Sequence, residues 1–415
     1  MFGVGGLSLV FGLTTAWIVT RYNFFGKKFF EWMLLLPAAV PAYIIAYTYT
    51  DFFEYAGPLQ SLLRDIFGWT SSKDYWFPNV RSMGGAILVM SSVLYPYVYL
   101  MTRASFITTP ISFFQTSSIY GRNSFFNVAI PFGRPGIIAG LALVLMETIS
   151  DFGTVDYFAI ETLTLGVFNV WLGMNSLSGA SQISSILFMI VIVLLTLEYL
   201  GRRSRKFHEK YSGASYTPTQ TVSGVKNSLL FLICLIPLSL GFIIPVSILL
   251  NFVIKGYSII NFIEIFQITI SSISLAFISS SFIMLLSLLM IIVGAYKSNN
   301  FQKILIFFAS SGYAFPGTIL AVGIVVFVGW LNDLIYFRMS YAVGGFIILL
   351  FAYSIRFLAV GNGAITSGIS RIHPNLLDAS RTMGVSFFKS IRKIILPLLY
   401  TCLLYTSPSP RDVLR

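Results

Sequence analysis

The sequence predicts an all-α polytopic membrane protein that consists of two tandem transmembrane modules. Hydrophobic residues make up 56% of its 415 residues and charged residues only 10%, whereas about 25% of the residues of a soluble domain are charged. The apolar runs are about 20 residues long, the length with which a helix crosses a hydrocarbon core of about 30 Å. Similar features recur in the same order on both sides of a polar segment at residues 201–226. These three observations indicate helical spans and a duplicated module.

The apolar runs between polar breaks predict about ten helical spans. They lie near residues 2–20, 30–50, 84–102, 134–152, 182–200, 227–252, 266–295, 304–330 and 341–360, and a tenth begins near Ile394. Alternation of the spans puts most Lys and Arg side chains on one side of the membrane, which the positive-inside rule makes cytoplasmic. Membrane topology thereby explains the net charge of +12, and no nucleic-acid partner is expected.

The chain divides into two modules with a linker between them. Residues 1–200 form the expected first module, 201–226 a basic linker rich in Ser, Thr, Gly and Pro, and 227–401 the second module. The first span would have to enter from outside with almost no preceding loop, so we expect that an N-terminal span is missing. About 12 apolar residues after Ile394 are too few to cross as a helix, so the second module is expected to be truncated. The tail 402–415 contains "CLLYTSPSPRD", which resembles a translated sequencing adapter, and we expect it to be artefactual.

A polar segment between two apolar runs occurs in each half. In the second half, Gly384 is expected to separate a short helix from a second helix that leads to Pro397. In the first half, Gly121 is expected to end a short helix, and Pro131 to open the following span. Two such helix pairs at equivalent cytoplasmic places predict two docking points for a partner. Amphipathic loops that bind lipid head groups are the alternative interpretation.

The second polar segment resembles the cytoplasmic "EAA" signature of ABC importer permeases, in which Glu-Ala-Ala is followed by Gly at the seventh position and an Ile-x-Leu-Pro ending. The corresponding residues of this chain are Asp378, Ala379, Ser380, Gly384, Ile394, Leu396 and Pro397. In that family the segment is the coupling helix, which sits in a cleft of an ATP-hydrolysing subunit. The first copy departs from the signature and has a shorter spacing; its corresponding residues are Gln115, Thr116, Ser117, Gly121 and Pro131. The resemblance implies ATPase-coupling segments at residues 108–131 and 371–397.

The segments 141–174 and 356–384 resemble the matching regions of fused two-module ferric-iron permeases. This resemblance implies Fe(III) as the substrate, and importers of the same class for thiamine, polyamine or an oxyanion are the alternatives. Glu147 lies inside an apolar span and Asp151 at its outer end. Both are candidates for the translocation path, because an ionised carboxylate at the bilayer centre costs about 2.5–3.5 kcal/mol and needs a partner or a path. A structural hydrogen bond between helices is the alternative role of Glu147.

No residue of the chain is assigned to catalysis, to a metal or to a cofactor. His208 and His373 lack acidic or sulfur partners at metal spacing, and the sequence has no Walker A pattern. ATP and Mg²⁺ are therefore expected in a separate, dimeric ABC ATPase on the cytoplasmic side of the bacterial inner membrane. A periplasmic substrate-binding protein and the lipid bilayer are the other expected partners. An ion-coupled secondary carrier is the competing class, but it needs carboxylates near mid-membrane in both halves, and spans eight and nine contain no Asp or Glu.

Overall fold

The computed structural model describes residues 1–107, 109, 111–203, 220–256, 261–296, 304–306, 308–309, 312–335, 341–370, 382–383, 385, 387–392 and 397. The chain forms two compact units. The first runs from Met1 to Ile260 and includes Pro316–Ile319, and the second comprises Asn261–Phe315 and Leu320–Arg415. The predicted module boundaries at residues 200 and 226 stay a prediction, and the predicted tail 402–415 lies outside the described residues.

Helices account for most of the described residues. Those up to residue 256 are α1 (Phe2–Arg21), α2 (Lys27–Met33), α3 (Ala42–Phe53), α4 (Pro58–Phe67), α5 (Met83–Ile107), α6 (Ile111–Ile119), α7 (Ile130–Ser150), α8 (Gly153–Tyr157), α9 (Leu163–Phe168), α10 (Leu177–Arg203), α11 (Val225–Leu238) and α12 (Ile244–Gly256). Single turns of 3₁₀ or π geometry extend them at Leu36–Ala39, Phe125–Ala129, Asn169–Gly173 and Ser239–Ile243. The later helices are α13 (Phe262–Tyr296), α14 (Gly317–Ile335), α15 (Tyr341–Ser370) and α16 (Phe387–Ser390), with a 3₁₀ turn at Gly312–Ala314.

Seven helical segments among the described residues are long and apolar enough to cross a bilayer. They are Phe2–Arg21, Met83–Ile107, Phe125–Ser150, Leu177–Thr196, Val225–Gly256, Phe262–Ile292 and Gly345–Gly363. Each overlaps a span expected from the sequence. The predicted fold class, an all-α polytopic membrane protein, is therefore confirmed.

The second expected span, near residues 30–50, corresponds to a broken helix and not to one straight helix. The segments Lys27–Ala39 and Ala42–Phe67 form a pair that is bent by 89°. Val40 has an extended backbone (φ −102°, ψ 122°), because a residue that precedes proline is disfavoured in the helical region. Pro41 also has no N–H with which to continue the helical hydrogen bonds. The pair makes an eighth span if its two arms count as one.

The core of the first unit is formed by α1, α5 and α7, which approach each other at glycines. A Cβ atom on Gly12 would lie 2.6 Å from Val98 Cβ and 2.9 Å from the Tyr95 carbonyl oxygen. A Cβ atom on Gly140 would lie 2.7 Å from Val98 Cα on the same helix α5. Small residues let helix backbones approach closely, which is a main source of packing energy inside a membrane. The two glycines therefore let α1 and α7 both contact α5 at Val98.

The end of the linker is attached to the end of α1. The strands β1 (Tyr22–Asn23) and β2 (Gln220–Thr221) pair in parallel, with Tyr22 opposite Gln220. The Phe25 N–H donates a hydrogen bond of 2.8 Å to Asn227 Oδ1, and the rings of Phe30 and Phe231 lie 5.1 Å apart. The helices α11 and α12, which follow the linker, therefore belong to the first compact unit.

Candidate functional site

The short helix α6 connects the long helices α5 and α7 at the predicted first coupling segment. It ends in two hydrogen bonds: the Arg122 N–H donates to the Ser117 carbonyl (2.9 Å), and the Gly121 N–H donates to the Ser118 carbonyl (3.1 Å). This pair of bonds is the Schellman motif. It places Gly121 in the left-handed region with φ 62°, where a residue without a Cβ atom is favoured. The helix therefore ends at the glycine that the sequence indicates.

The three residues that correspond to Glu-Ala-Ala in this copy have different environments. Gln115 and Thr116 are exposed, whereas Ser117 is buried. The Ser117 hydroxyl donates to the Arg122 carbonyl (3.0 Å) and accepts from the Ser124 hydroxyl (3.3 Å). Ser117 thus holds the turn after α6, while Gln115 and Thr116 are available to a partner.

The exposed end of α6 carries two large apolar side chains that the sequence reasoning missed. Ile119 is 82% exposed and Tyr120 is 75% exposed, immediately before Gly121. A groove of about 350 Å³ adjoins them between α6 and the start of α7, and its walls include Phe113, Thr116, Ser117, Tyr120, Arg122, Asn127, Val128 and Phe132. Exposed apolar side chains beside a groove are typical of a contact with another protein or with a membrane surface. Their position one and two residues before the helix-ending glycine is a signal that a sequence search could use.

A buried aromatic cluster holds α6 against the long helices. The ring of Trp17 on α1 lies 5.9 Å from Phe106, 6.2 Å from Phe114 and 5.3 Å from Phe125, as measured between ring centroids. Phe106 belongs to α5, Phe114 to α6, and Phe125 to the π turn that precedes α7. Phe114 and Phe106 are fully buried. We call these four residues the Trp17 cluster; in it, Trp17 of α1 contacts α5, α6 and the π turn at once.

The helix of the following span begins before Pro131, the residue that the sequence indicates as its start. Pro131 lies in the first turn of α7, directly after the π turn Phe125–Ala129. Proline has no N–H with which to continue the α-helical hydrogen bonds, and the turn directly before it has π geometry, with the Ile130 N–H donating to the Phe125 carbonyl. The turn and α7 together form the continuous span Phe125–Ser150, so α6 is connected to a membrane helix by only a few residues.

The second predicted coupling segment lies almost entirely outside the described residues. Asp378, Ala379, Ser380, Gly384, Ile394 and Leu396 are not described, and Pro397 is described as an exposed residue. The assignment of these residues to ATPase coupling stays a prediction. The same holds for the role of the first segment, whose geometry alone is described above.

The path candidates Glu147 and Asp151 lie one turn apart at the end of α7, and both are partly buried. Asp151 Oδ1 accepts a hydrogen bond of 2.9 Å from the Thr154 N–H, so this carboxylate caps the first turn of α8. The Thr164 hydroxyl donates to the Ile149 carbonyl (2.7 Å) and ties the start of α9 to the same end of α7. Asp151 thus has a structural role in the fold, and the translocation role of both residues stays a prediction. Among the described residues, no group of three or more His, Cys, Asp or Glu side chains could hold a metal ion.

No family model matches the chain, but relatives match nearly all of it. The Fe(3+)-transport system permease protein FbpB 2 of Haemophilus influenzae is 23% identical over 405 residues, which cover 95% of this chain and 73% of the relative. The ferric transport system permease protein FbpB of Actinobacillus pleuropneumoniae is 23% identical over an alignment of 439 positions, gaps included, which covers 97% of this chain and 60% of the relative.

A third relative matches only half of the chain. The molybdenum transport system permease protein ModB of Haemophilus influenzae is 28% identical over 211 residues, which cover 48% of this chain and 88% of the relative. Nearly the whole of that relative thus corresponds to about half of this chain. This proportion supports the predicted architecture of two permease modules in tandem.

Proposed function

Because the chain resembles ABC importer permeases along almost its whole length, we propose that it is the permease subunit of a binding-protein-dependent importer that carries Fe(III). Its relatives and its apolar helices indicate a multi-pass protein of the inner membrane. The proposal of Fe(III) as the substrate rests on the extent of the match. Two relatives named for ferric transport match 95% and 97% of the chain, whereas the molybdenum permease matches 48%.

An oxyanion is the second candidate substrate. The molybdenum permease has the higher identity, 28% against 23%, over the half that it covers. A permease module can keep the ATPase-coupling segment of ABC importers and still carry a different substrate. The breadth of the ferric match therefore favours iron, and the identity within one module favours the oxyanion.

The proposed mechanism assigns α6 to the transmission of force from an ATPase. A separate ATPase subunit, which binds ATP and Mg²⁺, contacts the exposed residues Gln115, Thr116, Ile119 and Tyr120 of α6. When the ATPase closes on ATP, α6 moves with it. The Trp17 cluster passes this movement to α1 and α5, and the short turn before Pro131 passes it to α7.

The close packing of the long helices supports this mechanism. Gly12 and Gly140 bring α1 and α7 into backbone contact with α5 at Val98. A closely packed interior transmits displacement because it has little free volume to absorb it. The three helices are therefore expected to move as one body, and a periplasmic binding protein delivers the substrate on the opposite side.

Uptake by living cells tests the proposed substrate. A strain that lacks its own ferric permease is supplied with the complete gene that contains this sequence and with the ATPase and binding protein encoded in the same genome. We expect uptake of radiolabelled Fe(III), and loss of that uptake when the Walker A lysine of the ATPase is replaced. Uptake of molybdate without uptake of iron would establish the oxyanion instead, and uptake that survives loss of the ATPase would contradict the ABC mechanism.

A further inference from the structure

The amphipathic helix α4 lies in the loop that precedes α5, whereas α6 follows the other end of α5. It follows α3 after residues 54–57 and precedes α5, whose 25 residues separate it from α6. A helix of that length spans about 37 Å, enough to cross the hydrocarbon core. If α6 is cytoplasmic, α4 therefore lies at the outer surface of the membrane.

Two polar side chains on one side of α4, Gln60 and Arg64, are directed toward the rest of the loop. Gln60 is buried: its Nε2 donates to the Phe53 carbonyl (2.7 Å), and its side-chain oxygen accepts from the Tyr75 hydroxyl (2.5 Å). Arg64 donates to the Tyr55 carbonyl (2.7 Å) and to the Ser61 hydroxyl (3.0 Å). These contacts fix the rotation of the helix about its own axis.

The apolar face of α4 is directed outward as a result. Leu62 is 55% exposed and Ile66, one turn later on the same face, is 65% exposed. A surface helix of a soluble protein has the opposite arrangement, with its apolar stripe toward the core. Side chains of this size that share one exposed face mark a contact surface.

Aromatic side chains extend this surface beyond the helix. The rings of Phe67 and Trp69 stack at 4.7 Å, and those of Trp69 and Tyr75 stack at 4.6 Å. Trp76 is 85% exposed. Trp and Tyr are enriched at the boundary between the hydrocarbon core and the head groups, because each combines an apolar ring with a polar N–H or O–H.

We propose that α4, together with Trp69 and Trp76, lies flat in the outer interface of the bilayer, with Leu62 and Ile66 in the acyl chains. The connection to α3 favours a lipid surface over a protein partner. Residues 54–57 span at most about 14 Å, so α4 stays at the depth where α3 ends.

The adjoining spans and the local charge agree with a lipid contact. Exposed apolar side chains continue from α4 onto the spans on both sides, at Tyr47 of α3 and Met83 of α5. The loop has no net charge: Glu54, Asp65 and Asp74 balance Arg64, Lys73 and Arg81. Attachment therefore depends on the apolar area and not on attraction to charged head groups or to a charged protein.

Site-directed fluorescence in nanodiscs tests this position. Leu62→Cys and Ile66→Cys are made in a background with Cys234→Ser and Cys402→Ser, and each is labelled with an environment-sensitive fluorophore. The matched control is Asp65→Cys, an exposed position on the same helix that lies outside the apolar face. The nanodiscs contain phosphatidylcholine, either unmodified or brominated on the acyl chains near the head group.

We expect blue-shifted emission and quenching by the brominated lipid at positions 62 and 66, and neither effect at position 65. Equal, water-like emission at all three positions would overturn the proposal. So would labels at 62 and 66 that brominated lipid does not quench and that shift only when the periplasmic binding protein is added, because that face would then be a protein-docking surface.

Discussion

At the residue scale, the close contact between α1 and α5 depends on Gly12, which has no side chain. Gly12 faces the backbone of α5 with no room for a Cβ atom, whereas a Cβ atom on Gly6 of the same helix would meet nothing within 4 Å. The two glycines therefore differ in their surroundings and share their secondary structure. A comparison of the same substitution at both positions separates packing from helix propensity.

We expect Gly12→Ala to destabilise the protein by about 1–3 kcal/mol, the usual cost of overpacking. The added methyl group meets Val98 Cβ and the Tyr95 carbonyl, so α1 must move away from α5. Gly6→Ala should be neutral or slightly stabilising, because Ala has the higher helix propensity. Thermal unfolding in detergent measures both, and an equal effect of the two substitutions would contradict close packing at Gly12.

A second residue-scale prediction concerns Asp74 in the loop between α4 and α5. Its Oδ2 accepts hydrogen bonds from the N–H groups of Ser71 (2.7 Å) and Thr70 (2.9 Å). These bonds favour the ionised form and hold the pKa of Asp74 below its usual value. Because the pKa is lower in the folded state, Asp74 stabilises the loop above the unfolded Asp pKa of about 4, and this stabilisation is lost as the pH falls through the lowered pKa.

Asp74→Asn should therefore increase hydrogen exchange of the Thr70 and Ser71 amides at neutral pH and remove their sensitivity to acid. Exchange is followed by mass spectrometry and corrected for the intrinsic rate at each pH. Asp65→Asn is the control, since Asp65 is an exposed carboxylate in the same loop. An acid response that persists in Asp74→Asn would show that another group opens the loop.

At the element scale, the helix α6 was predictable in outline and its attachment was not. Gly121 and Pro131 are local signals: the structure ends α6 at Gly121, and Pro131 follows directly after the π turn Phe125–Ala129 at the start of α7. The Trp17 cluster joins residues that are far apart in sequence, and no local pattern indicates such contacts. The bend at Pro41 was predictable only in part. The proline is visible in the sequence, but hydropathy measures how apolar a segment is and not the direction of its backbone.

The Trp17 cluster leads to a prediction about coupling. We expect Trp17→Phe to weaken coupling by about 0.5–2 kcal/mol, because the smaller ring loses part of the contact between α1 and Phe114 of α6. The measurement is ATPase activity of the reconstituted transporter, with and without the substrate-loaded binding protein; stimulation should fall while basal activity stays. Trp32→Phe is the matched control, since Trp32 is 65% exposed. Unchanged stimulation in Trp17→Phe would remove the cluster from the proposed mechanism.

At the scale of the whole molecule, composition alone predicted the class of fold. The apolar runs gave the spans because a bilayer leaves few options for a long uncharged segment, and seven such segments are present among the described residues. The orientation of an amphipathic helix was not predictable in the same way. The apolar face of α4 is visible in the sequence, but only the contacts of Gln60 and Arg64 show that this face is directed outward.

The attachment of the linker to α1 has a consequence for the integrity of the chain. β2 pairs with β1, Asn227 accepts from Phe25, and the Tyr49 hydroxyl donates to the Leu240 carbonyl. All three contacts join residues 220–240, at the end of the linker and beyond it, to residues 22–49, which precede it. A protease that cut the backbone between residues 204 and 219 would therefore cleave the polypeptide without releasing its second part. Two separately synthesised parts would be able to bind each other through the same contacts.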